Sequence, residues 1–257
     1  MPPPADQAPK SGLSTQSRML FYSAVLASTA GWVNAVALLI LAVPVGNLTG
    51  VTTQIGMDTA NPWRYESHVL TAILVGFLLG AATAGAILAS TRGPTSVRHA
   101  SVLVIEALLL LLAAAGVEES AVQAQIDVFG IEPIAVQALL AASALGMQNG
   151  LTSSFRGMAV RTTHFTGTVT DLGLMLGRSR RQGIDKWKAT ILTATLVLFL
   201  TGAIAGLLAG ARFGGYALLV PAAICVALAA VNLVQNRRRR NQRDLAKAEA
   251  TPRPGLA

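Results

Sequence analysis

Threonine, glycine and asparagine recur at fixed spacing in two places along this chain, each time beside an apolar stretch. The first copy reads Asn47-Leu48-Thr49-Gly50-Val51-Thr52-Thr53-Gln54-Ile55-Gly56, the second His164-Phe165-Thr166-Gly167-Thr168-Val169-Thr170-Asp171-Leu172-Gly173. Thr49, Gly50, Thr53 and Gly56 return as Thr166, Gly167, Thr170 and Gly173, each 117 residues further on. Upstream, Gly31-Trp32-Val33-Asn34 is echoed by Gly146-Met147-Gln148-Asn149 at an offset of 115. Polar groups exposed to hydrocarbon cost free energy. These side chains must therefore face protein or a wet cavity, and the chemistry they suit is reversible binding of a polar solute.

The second copy reads as a short helix over 161–173 that dips into the bilayer, with Thr162 or Thr163 as N-cap. Three-and-four spacing puts Thr163, Thr166, Gly167 and Thr170 on one face, with Asp171 at its border. A helix N-terminus beside Arg161 suits an anionic group. In the first copy Asn47, Thr49, Gly50 and Thr53 repeat the geometry without a formal charge. Asn34, Gln148 and Asn149 are expected at the same site. Intramembrane polar residues are functional by default, so a solute cavity is the leading reading. The alternative is a helix-packing motif whose threonines satisfy backbone carbonyls while Arg161 marks the membrane boundary.

Asp171 could serve proton or cation coupling from within the cavity, or form a fixed ion pair with Arg161. His164 could titrate near neutral pH, or simply hydrogen-bond at the boundary. Glu106, inside the third apolar stretch, lines the cavity or is neutral and hydrogen-bonded. Enzyme signatures are missing from the sequence: there is no phosphate-cradling glycine loop, no nucleophile elbow and no His/Cys cluster at metal spacing. His68, His99 and His164 are far apart, and Ser153-Ser154 has no evident base. We therefore expect no catalysis, no metal and no cofactor.

The elements that position these residues follow from composition. Of 257 residues, 53% are hydrophobic and only 12% charged, with a mean hydropathy of +0.55. A soluble chain carries about 25% charged residues. Apolar stretches near 20 residues long, enough to cross a ~30 Å hydrocarbon core, fall at 20–42, 68–90, 99–116, 134–155, 187–210 and 216–235. Six spans in an all-α polytopic membrane protein are expected. The net charge of +8 and pI near 10.6 do not point to nucleic acid. With a cytoplasmic N-terminus, eighteen of the twenty Lys and Arg residues fall on the cytoplasmic side and only Arg64 and Arg212 opposite. That positive-inside bias places both termini in the cytoplasm and the acidic loop 117–133 outside.

Residues 1–18 lack the order of a cleavable signal peptide and read as a disordered cytoplasmic lead-in, the first span then being a retained signal-anchor. The single cysteine, Cys225, permits no intrachain disulfide. Residues 236–257 form a basic cytoplasmic tail, whose run Arg237-Arg238-Arg239-Arg240 is a stop-transfer anchor or an attraction for anionic lipid.

Val69–Ala84 aligned with Ile191–Gly206, at an offset of 122, matches nine of sixteen residues, Phe77 with Phe199 and Gly80 with Gly202 among them. The membrane domain 19–235 thus divides into halves of three spans each, about 19–116 and 134–235. Three is odd, so the second half enters from the opposite side: a 3+3 inverted repeat with two short polar helices. Gly76 and Gly80, and Gly202, Gly206 and Gly210, are close-packing signals. Packing within one molecule is the simpler account, and a homo-oligomer seam the alternative.

The stretches Gly146-Met147-Gln148-Asn149 and Val160 to Gly173 resemble the YoaK-like family, bacterial multi-pass inner-membrane proteins of unknown function. The likeness covers roughly 19–235. The family pattern has an Asp where Asn34 sits, a His at Asn47 and an Asn at Val51, so the first half of this chain departs from it. The resemblance implies a membrane fold and an inner-membrane location, and carries no established activity. The functional expectation is a transporter-like permease for a small polar solute, anions included; the alternative is a non-transporting membrane scaffold or sensor module.

Overall fold

In hydrocarbon a backbone must satisfy its own hydrogen bonds, so each apolar stretch becomes a helix. The computed structural model describes residues 11–58, 67–89, 96–154 and 162–250. In chain order these residues form α1 (Ser11–Leu41), α2 (Leu48–Asp58), α3 (Ser67–Leu88), α4 (Val97–Glu118), α5 (Ser120–Val128), α6 (Pro133–Ser153), α7 (Phe165–Gln182), α8 (Lys186–Phe213) and α9 (Leu219–Ala250), with no strand among the described residues.

Among the described residues, five stretches are long and apolar enough to cross a membrane: Leu20–Leu41, Ser67–Leu88, Val97–Glu118, Pro133–Ser153 and Lys186–Gln242. The last is 57 residues long. As one straight helix it would extend roughly 85 Å, nearly three hydrocarbon thicknesses. It is divided instead by a 3-10 turn, Gly214–Leu218, between α8 and α9, and Gly214 enters that turn at φ 60°.

Helical structure extends beyond the expected spans in three places. Residues 11–18, read as disordered, are the first turns of α1. The basic tail is helical as far as Ala250, since Arg, Gln, Leu, Ala, Lys and Glu are all strong helix formers. The loop 117–133 contains α5.

Glycines set the helix directions. Along α8, Gly202 lies against Ser28, Gly206 against Trp32 and Gly210 against Val36 and Leu39, so α1 and α8 run parallel. Along α3, Gly76 lies against Leu139 and Gly80 against Ser143, while Gly150 of α6 meets Ala84; α3 and α6 are parallel too. The Ser143 hydroxyl donates across that second interface to the Gly76 carbonyl at 2.9 Å. Without a Cβ, backbones approach to van der Waals contact, which replaces the hydrophobic effect as the driving force within lipid. The two interfaces match residue for residue. A Cβ on Gly31 would collide with the Phe199 carbonyl and one on Gly146 with the Phe77 carbonyl; Gly202 and Ser28 are related in the same way to Gly80 and Ser143.

The buried apolar residues form two clusters. One gathers Tyr22, Leu88, Ala100, Leu151 and Leu228 near the start of α1. The other gathers Val36, Val69, Leu110, Ala138, Leu218 and Cys225 toward its end. Leu103 shares the first cluster with Leu228, and Leu110 the second with Cys225, so α4 and α9 cross antiparallel. At the far end the Trp32 indole N–H donates to the Ala217 carbonyl at 2.9 Å, and the Tyr216 hydroxyl to Glu119 Oε1 at 2.8 Å.

Candidate functional site

Each polar motif begins where a long helix has just ended and the chain doubles back. After α1, Ala42 takes φ 57° and Pro44, which has no N–H to offer a helix, follows. The Gly46 N–H then donates to Asn34 Oδ1 at 2.8 Å. In the second half Asn149 Nδ2 donates to Thr163 Oγ1 at 2.9 Å. Asn34 corresponds to Asn149 and Gly46 to Thr163 in the repeat, so the same asparagine anchors the same point of each motif. The two anchored points touch: a Cβ on Gly46 would lie 3.2 Å from the Thr163 methyl.

From these points α2 and α7 start out, and between their N-termini lies a cavity of about 620 Å³. Its walls come in repeat pairs: Asn34 with Asn149, Asn47 with His164, Leu48 with Phe165, Thr49 with Thr166, and Phe77 with Phe199. Gly150, Ser153 and Ala81 extend it toward the end of α6. Among the described residues that line it there is no Asp, Glu, Lys or Arg.

The two helix starts differ. Asn47 Oδ1 accepts from the Gly50 N–H at 3.1 Å and caps α2. His164 occupies the N-cap of α7 but makes no side-chain cap bond; its ring lies over Gly167 instead. The first turn of α7, the positive end of its helix dipole, thus has no side-chain cap from His164, and its Phe165 and Thr166 line the cavity. Behind the wall, fully buried Gln148 donates through Nε2 to the Leu26 carbonyl and, at 3.0 Å, to Thr162 Oγ1.

Of the residues singled out from sequence, Asn34, Asn47, Thr49, Asn149, Thr163, His164 and Thr166 line this one cavity. Gly50 and Gly167 do not line it, but allow Asn47 and the His164 ring to fold over their helices. Arg161 lies outside the described residues.

The remaining expectations are corrected. Helix α7 starts at Phe165, not Arg161, and runs to Gln182, where Gly183 at φ 72° ends it. Thr163 does not cap it, because Asn149 holds the Thr163 hydroxyl. Thr53 and Thr170 do not line the cavity: their hydroxyls donate to the Thr49 and Thr166 carbonyls at 2.9 and 2.8 Å, as the packing alternative supposes. Asp171 is not a lining residue either. It pairs with Lys188 Nζ at 2.9 Å, both side chains about half exposed. It sits almost two turns into α7, whose packing partner is α8, so the carboxylate meets the first turn of α8 and not the cavity. Glu106 is fully buried where α4 crosses α9, beside the Cys225 thiol. Helix α4 packs on α6 and α9 and touches neither α2 nor α7 among the described residues, which removes Glu106 from the site. Gln148 supports the site from behind without lining it.

Sequence reasoning missed Gly46, Leu48, Phe77, Ala81, Gly150, Ser153, Phe165 and Phe199 as wall residues. A signal existed for two of them, since Phe77 and Phe199 are an identical pair in the repeat alignment.

These helices define an integral membrane protein, multi-pass and α-helical. A family model described as "Protein of unknown function (DUF1275)" matches residues 22–231, and the chain belongs to that family. No curated protein and no solved structure matches it.

Proposed function

We propose that this protein is a plasma-membrane permease for a small polar solute, with anions preferred, working by alternating access. It spans the membrane six times as a 3+3 inverted repeat, with both termini cytoplasmic. One observation carries the reading: the cavity is walled by equivalent residues of both repeat copies. Inverted halves are related by a pseudo-twofold axis in the membrane plane, and transporters of this construction bind their substrates where that axis passes between the halves. The matching glycine contacts of α1 with α8 and of α3 with α6 support the same axis. So do the parallel directions within those pairs and the antiparallel crossing of α4 and α9.

Three amides, four hydroxyls and an imidazole supply hydrogen-bonding groups around the solute, while Phe77, Phe165 and Phe199 supply apolar surface. The lining residues above hold no carboxylate, and the first turn of α7 brings a positive dipole end, so a negative solute meets attraction without a like charge. Chemistry on the solute forms no part of the proposal.

The test is uptake into proteoliposomes of a panel of small carboxylates, inorganic anions and neutral polyols. We expect uptake of at least one anion, lost when Thr49→Leu and Thr166→Leu together fill the cavity. No solute crossing faster than in empty liposomes, or equal uptake by the filled variant, overturns the reading.

A further inference from the structure

A second groove, of about 420 Å³, lies between α1 and α8, lined by Ala35, Leu38, Leu39, Ala203, Ile204 and Leu207. Three of its residues are the repeat counterparts of one arm of the cavity. Ala35 and Leu38 correspond to Gly150 and Ser153 at the offset of 115, and Ala203 corresponds to Ala81 at 122. Gly150, Ser153 and Ala81 are the residues that extend the cavity toward the end of α6. There Leu151 joins the cluster that contains the start of α1. The groove runs the opposite way, toward the level at which Gly210 packs on Val36 and Leu39. The cavity thus has an open arm on the side of the α1 start, and its symmetry mate is the groove on the other side.

The two arms differ in side chains. Leu38, Leu39, Ile204 and Leu207 stand at the repeat positions of Ser153, which lines the cavity, and of Ser154, Ala82 and Gly85, which lie within about one helical turn of the lining residues Ser153 and Ala81. Every exchange replaces a small or hydroxyl-bearing residue with a large aliphatic one. A narrow passage walled by such chains holds no water and closes to polar solutes. The four are also not locked into the core, being between 44% and 54% exposed. They can change rotamer without opening a packed interior.

Resting on the permease reading, we propose that the α1/α8 groove is the second leg of the solute pathway. Leu38, Leu39, Ile204 and Leu207 form its hydrophobic gate. Solute held between Thr49 and Thr166 leaves by the Ser153 arm on one side and, when the gate wets, by the α1/α8 groove on the other.

The test uses the full chain in vesicles of known orientation, with Cys225→Ala removing the only native cysteine and Thr49→Cys placing a single thiol in the cavity. A membrane-impermeant maleimide is applied from either side. In this background we expect fast labelling from the side of the α1 start and slow labelling from the other. Leu38→Ser with Ile204→Ser should speed the slow reaction about tenfold, the change produced by a barrier about 1.4 kcal/mol lower. The fast reaction should be unaltered. If the double variant does not behave as a single species in gel filtration, Leu207→Ser, which changes one half-exposed side chain, is read in the same way. An unchanged slow rate beside an intact fast one overturns the gate and leaves the cavity standing. No labelling of Thr49→Cys from the side of the α1 start overturns the permease reading itself.

Discussion

Gly206→Ala adds one methyl group within the close contact of α1 and α8. The new carbon would sit 2.7 Å from both the Cα and the carbonyl oxygen of Trp32, whereas ordinary contact begins at 3.4 Å. Both obstacles are backbone, so a rotamer change cannot relieve the clash and the helices must part by about 0.7 Å locally. A gap of that size forfeits between a quarter and a half of each dispersion well; over roughly forty atom pairs at about 0.15 kcal/mol each, the loss is about 2 kcal/mol. That agrees with the ~1–3 kcal/mol typical of overpacking. Alanine also raises helix propensity over glycine by up to about 1 kcal/mol, so a control is needed. Gly85→Ala provides it, because a Cβ at that position of α3 meets nothing within 4 Å. The propensity gain cancels between the two variants, leaving the contact. Thermal unfolding in detergent should then place Gly206→Ala below Gly85→Ala by roughly 4–8 °C, taking about 2–4 °C per kcal/mol for a chain of this size. Gly206→Leu should fall further. Equal midpoints for the two alanine variants would refute the close α1/α8 interface, and with it the matched packing on which the inverted repeat rests.

The two anchoring asparagines should respond differently to aspartate. Asn34 is used as an acceptor for the Gly46 N–H, so Asn34→Asp should be tolerated, whereas Asn149 donates to both Leu145 O and Thr163 Oγ1 and Asn149→Asp should lower the melting midpoint by the equivalent of about 1–3 kcal/mol. Asp171→Asn breaks a half-exposed ion pair with Lys188 and should change stability by under about 1 kcal/mol; uptake that survives it but is lost in His164→Ala would confirm that the solute meets the cavity and not the pair. Single cysteines introduced near either end of the chain, in the Cys225→Ala background, should label only from the cytoplasmic side, and labelling of the C-terminal tail from outside would refute the six-pass topology.

Much of the architecture was legible because bilayer physics writes it into composition. A hydrocarbon layer about 30 Å thick demands apolar stretches near 20 residues, and these mark α1, α3, α4 and α6 directly. The same logic marks Gly76, Gly80, Gly202 and Gly206 as contact points, since only a missing side chain lets backbones meet in lipid. The recurrence of Asn34 as Asn149 and of the Thr-Gly pairs was visible too, and the fold brings both copies to one cavity. What sequence could not determine was which polar residues share a space. Asp171 and Glu106 are costly in a membrane wherever they point, so their presence signals partners without naming them; packing alone gave Lys188 to one and the α4/α9 crossing to the other. Thr53 and Thr170 share a helix face with Thr49 and Thr166, yet they bond to their own helices, because a threonine hydroxyl can reach the carbonyl four residues back. The aromatic wall of Phe77 and Phe199 arises from helices far apart in the chain and needed the fold to bring it to the motifs. Spacing along one helix fixes which residues are neighbours on that helix; which helix stands opposite is decided only by tertiary packing.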